Sequence, residues 1–202
     1  VLGGAYVLMA YLLADRVPAD TTVAGVDVSG LSAAQAEETL EAELGALETE
    51  PVPLAFQDSG ADLDPESAGM SFDAEATVAQ FTGFTLHPQV LLGHLFGLGE
   101  QDPVSHVDRE ALESVLSDLA ADLNVSPVEG TITLVDGGAE VSEPEDGSGV
   151  EIEAAVDMIA QEWLTAPRPL ELPVEVVEPE VGPAEIDAAM SQIVEPFLSG
   201  PV

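Results

Sequence analysis

Gly69-Met70-Ser71-Phe72-Asp73-Ala74 is answered 80 residues later by Gly149-Val150-Glu151-Ile152-Glu153-Ala154, the same order of glycine, apolar, polar, apolar, acid and alanine. Working backwards from each, Pro65-Glu66 matches Pro144-Glu145, and Ala61-Asp62-Leu63 matches Ala139-Glu140-Val141. The turn Asp58-Ser59-Gly60 matches Asp136-Gly137-Gly138, and the alternating Val52, Leu54 and Phe56 match the strand 131–135 with Ile132 and Leu134 on one side. Such ordered recurrence points to an internal duplication, which has to be recognised before a fold is assigned.

Each copy opens with a helix. In the first, Ser32 and Gln35 form a capping box, and Ala33, Ala36, Leu40, Leu44 and Leu47 recur at helical spacing. In the second, Asp108 caps a helix whose apolar face is Leu112, Val115, Leu116, Leu119 and Leu123. Each copy also closes with a helix: one after Phe72 that Gly83 can stop, and one carrying Ile152, Val156, Ile159, Ala160, Trp163 and Leu164. A short strand over 23–28 precedes the first copy, and a linker over 85–103 with a helical piece at 89–96 joins the two. Leu170, Leu172, Val174 and Val176 alternate as a strand, which Pro173 places at an edge. Gly182-Pro183 then opens another helix with Ile186, Met190, Ile193 and Val194. Polar alternation and short turns favour an α+β fold of two related helix–strand–strand–helix units with an antiparallel or mixed sheet, over a doubly wound parallel sheet. The expected organisation is a first unit plus linker over 17–100, a second unit over 101–182, and the start of a further, truncated unit over 183–202.

Residues 1–14, VLGGAYVLMAYLLA, carry no charge. As a helix they would span about 21 Å, short of a hydrocarbon core of about 30 Å. They are expected, with residues 15–16, to be the outer part of a transmembrane or signal-anchor helix, with Tyr6 and Tyr11 at the membrane interface. A buried N-terminal helix and a cleavable signal segment are the alternatives.

The 202 residues hold 39 Asp and Glu against 3 Arg and Lys combined, a net charge of −36. Hydrophobic residues make up 46 %, enough to build a core, so the acidity does not mean disorder. Three cations cannot hold phosphates against that field, which excludes a nucleic-acid partner. The absence of Cys removes disulfides, thiolate nucleophiles and Cys-ligated zinc. His87, His94 and His106 show no triad arrangement; Ser148 in Gly147-Ser148-Gly149 reads as a turn, and Ser105 beside His106 is adjacency alone. Acids cluster at Asp58, Asp62, Asp64 and Glu66 and at Glu143, Glu145 and Asp146, but neither run has the spacing of a calcium loop. No metal or cofactor is expected. A carboxylate pair for glycoside hydrolysis is defined by distance in space, and 39 candidates do not single one out. Trp163, Phe56, Phe72 and Phe81 fall on apolar faces and read as core. Arg109 and Arg168 are rare cations that could meet a ligand carboxylate or merely neutralise local acid. Asn124-Val125-Ser126 fits a glycosylation sequon.

The run Thr22-Val23-Ala24-Gly25-Val26-Asp27-Val28-Ser29-Gly30-Leu31-Ser32, followed by Ala36 and Leu40, resembles the start of the peptidoglycan-binding module found N-terminal to VanW-like domains and to some bacterial L,D-transpeptidases. Residues 68–78, 147–152, Leu172-Pro173-Val174 with Pro179, and the closing Ser199-Gly200-Pro201-Val202 are similar to the same family. The resemblance covers about 17–202 and rests on structural motifs, with no catalytic signature. It implies a non-catalytic, extracytoplasmic part of a membrane-anchored cell-wall protein, with peptidoglycan as partner, that positions a C-terminal domain. The alternatives are a spacer without ligand, the substrate-recognition part of an L,D-transpeptidase, or an enzyme with an unrecognised carboxylate pair. The family transfers no binding residue to this chain.

The charge excess has a measurable consequence. Raising NaCl from about 10 mM to about 1 M shortens the Debye length from about 30 to about 3 Å and should raise the melting temperature. A flat or falling melting curve over that range would contradict self-repulsion as a main stability term.

Overall fold

Ser32 starts the first helix as its side chain dictates. In the computed structural model, which describes residues 15–83, 97–135 and 138–194, its hydroxyl accepts from the Gln35 amide at 3.4 Å and the Gln35 side chain accepts from the Ser32 amide at 3.2 Å. Helix α1, Ala33–Leu44, buries Ala36, Leu40 and Leu44 at four-residue spacing and runs into a 3-10 turn, Gly45–Glu48. Before it, the expected strand at 23–28 folds back on itself. Ala24 and Gly25 have φ of 47° and 81°, so the chain reverses between β1, Thr21–Val23, and β2, Val26–Asp27. Glycine adopts that left-handed turn without a Cβ penalty.

The hairpin β3, Val52–Phe56, and β4, Ser59–Leu63, has five antiparallel pairs and a two-residue turn. After β5, Met70–Phe72, Asp73 accepts from the Ala76 amide and caps α2, Ala74–Ala79. Strand β6, Gly99–Gln101, lies within the expected linker and pairs parallel with β1. Strand β7, Ser105–Val107, pairs antiparallel with β5. Asp108 then caps α3, Arg109–Leu123, through the Glu110 and Ala111 amides. The hairpin β8, Thr131–Val135, and β9, Gly138–Ser142, is followed by β10, Gly147–Val150, and α4, Ile152–Glu162. The chain continues through β11, Leu170–Glu171, β12, Val174–Val177, and α5, Pro183–Ala189, which passes into a π turn, Met190–Val194. The order α1–β3–β4–β5–α2 thus recurs as α3–β8–β9–β10–α4.

The architecture is mixed α+β, and among the described residues it has five small sheets in place of one continuous sheet. Two local expectations are corrected. Gly147-Ser148-Gly149 is not a turn but most of β10; Gly147 is required because any Cβ there would run into the Val125 carbonyl and the Pro127 ring. The alternating run 170–176 is two strands, because Pro173 has no amide to continue a ladder. Its first half pairs parallel with β3 and is buried at Leu170 and Leu172, and its second half pairs with β10 and is exposed at Val174 and Val176. The N-terminal apolar segment 1–14 and the helical piece at 89–96 lie outside the described residues. Among the described residues no helix is long and apolar enough to cross a membrane.

Apolar side chains gather into two cores. The smaller joins Val17, Val23 and Val28 to α1 and α2, with Phe72 and Phe81. The larger joins Val52, Leu54, Phe56 and Leu63 of the first hairpin to Leu112, Leu116, Ala120 and Leu123 of α3, to Ala155, Val156 and Ile159 of α4, and to Trp163. The hairpin belonging to the first copy by sequence order is therefore roofed by helices of the second.

That packing predicts asymmetric mutational costs. Leu54 is 2 % exposed and Leu134, on the second hairpin, is 54 % exposed. In urea unfolding, Leu54→Ala should cost about 2–5 kcal/mol, and Leu134→Ala should stay within about 0.5 kcal/mol. Equal losses at both positions would contradict it.

Candidate functional site

Arg109 stands at the first position of α3, where the helix dipole disfavours a cation. Its position therefore has another physical basis. Its Nη2 donates to the Asp157 carboxylate of α4, 48 residues away. Both side chains remain open to solvent, 58 % and 54 % exposed, so the pair adds little to stability. It marks the mouth of a cleft of about 490 Å³ between the two helices, lined by Arg109, Glu113, Ile152, Glu153 and Val156. The lining follows from helical spacing: Arg109 and Glu113 are one turn apart on α3, as are Ile152 and Val156 on α4. Val156 is buried and Ile152 packs against the larger core, which gives the cleft an apolar floor. One guanidinium with free donors, two carboxylates and an apolar floor can take a ligand that carries carboxylate, amine and methyl groups together.

The other residues singled out by sequence do not gather there. Trp163 is 1 % exposed and its indole nitrogen has no partner among the described residues; it is core, as its helical position implies. Arg168 follows α4 with one guanidinium nitrogen buried and unpartnered among the described residues. His87 and His94 lie outside the described residues. Ser148 donates to the Gln57 side chain at 3.3 Å. Asn124 ends α3, and its side-chain oxygen accepts from the Val150 amide at 2.9 Å, holding β10 to the helix.

His106 lies 3.0 Å from Asp73 through Nε2, a pairing across 33 residues that sequence alone did not suggest. On the β5–β7 ladder Ser71 stands opposite His106. No hydrogen bond joins a serine hydroxyl to that ring among the described residues, so the nucleophile–base contact of a catalytic triad is not formed. The Asp73 carboxyl sits below its usual pKa, first because the Ala76 amide donates to it at 2.7 Å and then because of His106. Asp64 is likewise lowered by Ser67, Asp27 by Ser29, and Glu100 by the Thr22 hydroxyl and the Gly25 amide. The Asp27 and Asp64 ties are local to their turns, whereas Glu100 joins β6 to the β1–β2 hairpin and Asp73 reaches His106 on β7. Among the described residues no group of three or more His, Asp or Glu is placed to hold a metal ion.

Against this geometry, a family model described as "Putative peptidoglycan binding domain" matches residues 61–171. The chain belongs to this family. The matched stretch runs from β4 to β11 and contains both helices of the cleft and all of its lining residues. No curated protein and no solved structure matches the chain. The residues that sequence reasoning passed over are Glu113, Glu153 and Asp157. Their one-turn spacing relative to Arg109 and to one another was visible, but the apposition of α3 and α4 was not.

Asp73 gives a pH test. Its lowered folded pKa contributes stability that is present above the ordinary carboxylate value of about 4 and is lost as pH falls through the folded value. Asp73→Asn keeps a capping oxygen and removes the charge. Its melting temperature should fall below wild type at about pH 5 and converge with wild type well below about pH 4. A gap that persists unchanged into acid would assign the effect to something other than this carboxylate.

Proposed function

We propose that the chain is a non-catalytic cell-wall module that binds peptidoglycan through the α3–α4 cleft. The observation that carries this is the placement of Arg109, a rare and accessible cation, inside the stretch shared with the peptidoglycan-binding family. Peptide stems of peptidoglycan present carboxylates, a free amine on a diamino residue, and alanine methyl groups. Arg109 is the group to receive a carboxylate, Glu113 and Glu153 to receive the amine, and Ile152 with Val156 to cover the methyls. In this reading the uncharged residues 1–14 tether the module to the membrane, while Asp15 and Arg16 already belong to the folded part through the Arg16–Ser32 bridge; that folded part is extracytoplasmic and positions a further domain such as the VanW-like or transpeptidase domains that accompany similar modules. A spacer role without ligand is the second reading. It is favoured by the charge of −36, which repels an anionic wall unless salt or divalent cations screen it.

Cosedimentation with purified insoluble peptidoglycan at about 0.15 M and about 0.5 M NaCl separates the two, because screening should strengthen binding over that range. Arg109→Glu should weaken it by at least about tenfold, the size of one lost charge-assisted hydrogen bond. Retention of the protein in the supernatant at both salts would leave the spacer reading standing. Muropeptides recovered after incubation should be unchanged; new products would overturn the non-catalytic assignment.

A further inference from the structure

The two hairpins are close counterparts with different surroundings. By cross-strand partner, Val52–Leu63 corresponds to Ile132–Val141, and Leu54–Ala61 to Leu134–Ala139. Each hairpin therefore presents one apolar face of nearly the same chemistry. In the first, Val52, Leu54 and Leu63 are buried; in the second, Leu134 is 54 % and Val141 41 % exposed. Hydrophobic side chains concentrated on one face of a two-stranded sheet need a cover, because an isolated hairpin is marginal in water.

The first hairpin identifies the cover. It is roofed by α3 and α4, a helix pair that comes later in the chain and belongs to the next copy of the repeat. The second hairpin has the beginning of the same roof. Helix α5 follows β12 as α3 follows β7. Ile186 of α5 is buried and seated on Gly130 at the foot of β8, where a Cβ would collide with it at 2.7 Å. The Gly130 amide donates to the Val181 carbonyl at 2.9 Å, and the Glu129 carboxylate accepts from the amides of Glu180 and Val181, at 3.2 and 2.6 Å. The segment entering α5 is thus fastened to the second hairpin. Helix α5 has 7 residues against the 15 of α3, and among the described residues nothing occupies the place of α4. Among the described residues a second copy of the chain has no spare helix pair to offer, since α1 and α2 are committed to the smaller core and α3 and α4 to the larger.

We propose that the exposed apolar face of β8–β9 is the seat for a helix carried C-terminal to α5 on the same polypeptide, so that each unit lends its hairpin forward to the helices of the next. In the first instance of this arrangement, α4 begins 43 residues after α3 (152 − 109). The same interval from Pro183 falls past Val202. The arriving helix needs an apolar stripe spaced like Ala155, Val156, Ile159 and Trp163, with polar residues on its outer side. Units joined in this way share cores and cannot swing freely about a linker. The inference is independent of the peptidoglycan cleft and stands or falls separately from it.

Hydrogen–deuterium exchange on the 202-residue chain and on the native polypeptide containing whatever follows Val202 tests the proposal. In the 202-residue chain, β8–β9 amides should exchange at least about tenfold faster than those of β3–β4. In the longer polypeptide they should slow by at least about tenfold at every protein concentration, with β3–β4 unchanged. Leu134→Asp should leave the 202-residue chain's melting temperature within a few degrees. In the longer polypeptide it should restore fast β8–β9 exchange while β3–β4 stays protected, a readout that a globally unfolded variant could not give. Four outcomes would overturn the proposal: a native polypeptide that stops at Val202, exchange at β8–β9 unaffected by the extra chain, protection that rises with protein concentration, or protection conferred by peptidoglycan on the 202-residue chain.

Discussion

A hairpin of two five-residue strands cannot cover its own apolar face, and the larger core is built around that constraint. Val52, Leu54, Phe56 and Leu63 all point to one side of β3–β4 because strand side chains alternate. Their burial depends on α3 and α4, which begin some 50 and 90 residues later. β11 adds a parallel edge to β3, and Trp163, just past α4, fills the interior between helices and sheet. The α3–α4 cleft is the outer side of the same arrangement: the residues beneath its floor touch the hairpin, and those at its rim face solvent.

With three basic side chains for 39 acids, the protein cannot partner its carboxylates with Lys or Arg. It partners them with backbone amides and hydroxyls. Asp73 and Asp108 cap helices, Glu48 accepts from the Phe72 amide at 2.6 Å, Glu100 ties β6 to the β1–β2 turn, and Glu129 ties β8 to the entry of α5. Hydrogen bonds of this kind involve a charged acceptor and a fixed donor, and they are among the stronger ones available at a protein surface. They also let the chain stay acidic with few ion pairs, Arg109–Asp157 and His106–Asp73 among the described residues. What they leave is long-range repulsion among the rest, which salt can screen.

The sequence carried much of the local order. Ser32 with Gln35, Asp108, and Pro183 each named a helix start that the structure contains, and the recurrence around Gly69 and Gly149 located both hairpins and the helices after them. Errors came where tertiary contact overruled local pattern. Gly147 and Gly149 look like turn residues in isolation, and only the antiparallel pairing with 174–177, with Val125 and Pro127 passing close to Gly147, makes a strand of them. The run 170–176 alternates without a break, but Pro173 divides it between two different partner strands. The cleft was legible only in part. Arg109 stood out through its rarity, while its partner Asp157 was one acid among many until α3 and α4 were placed side by side.

Sequence order and packing order differ by one step in this chain, and that difference bears on function. Were each copy a closed unit, two copies would be beads on a linker and a binding cleft on one would be indifferent to the other. Here the helices that form the cleft are supported by a hairpin from the preceding copy, and the hairpin between those helices is offered onward. A force or displacement applied at one end of such an array is transmitted through shared cores, because interiors packed to crystal-like density do not absorb strain softly. The stiffness is the same whether or not the cleft is filled, because it comes from the cores and not from the cleft lining.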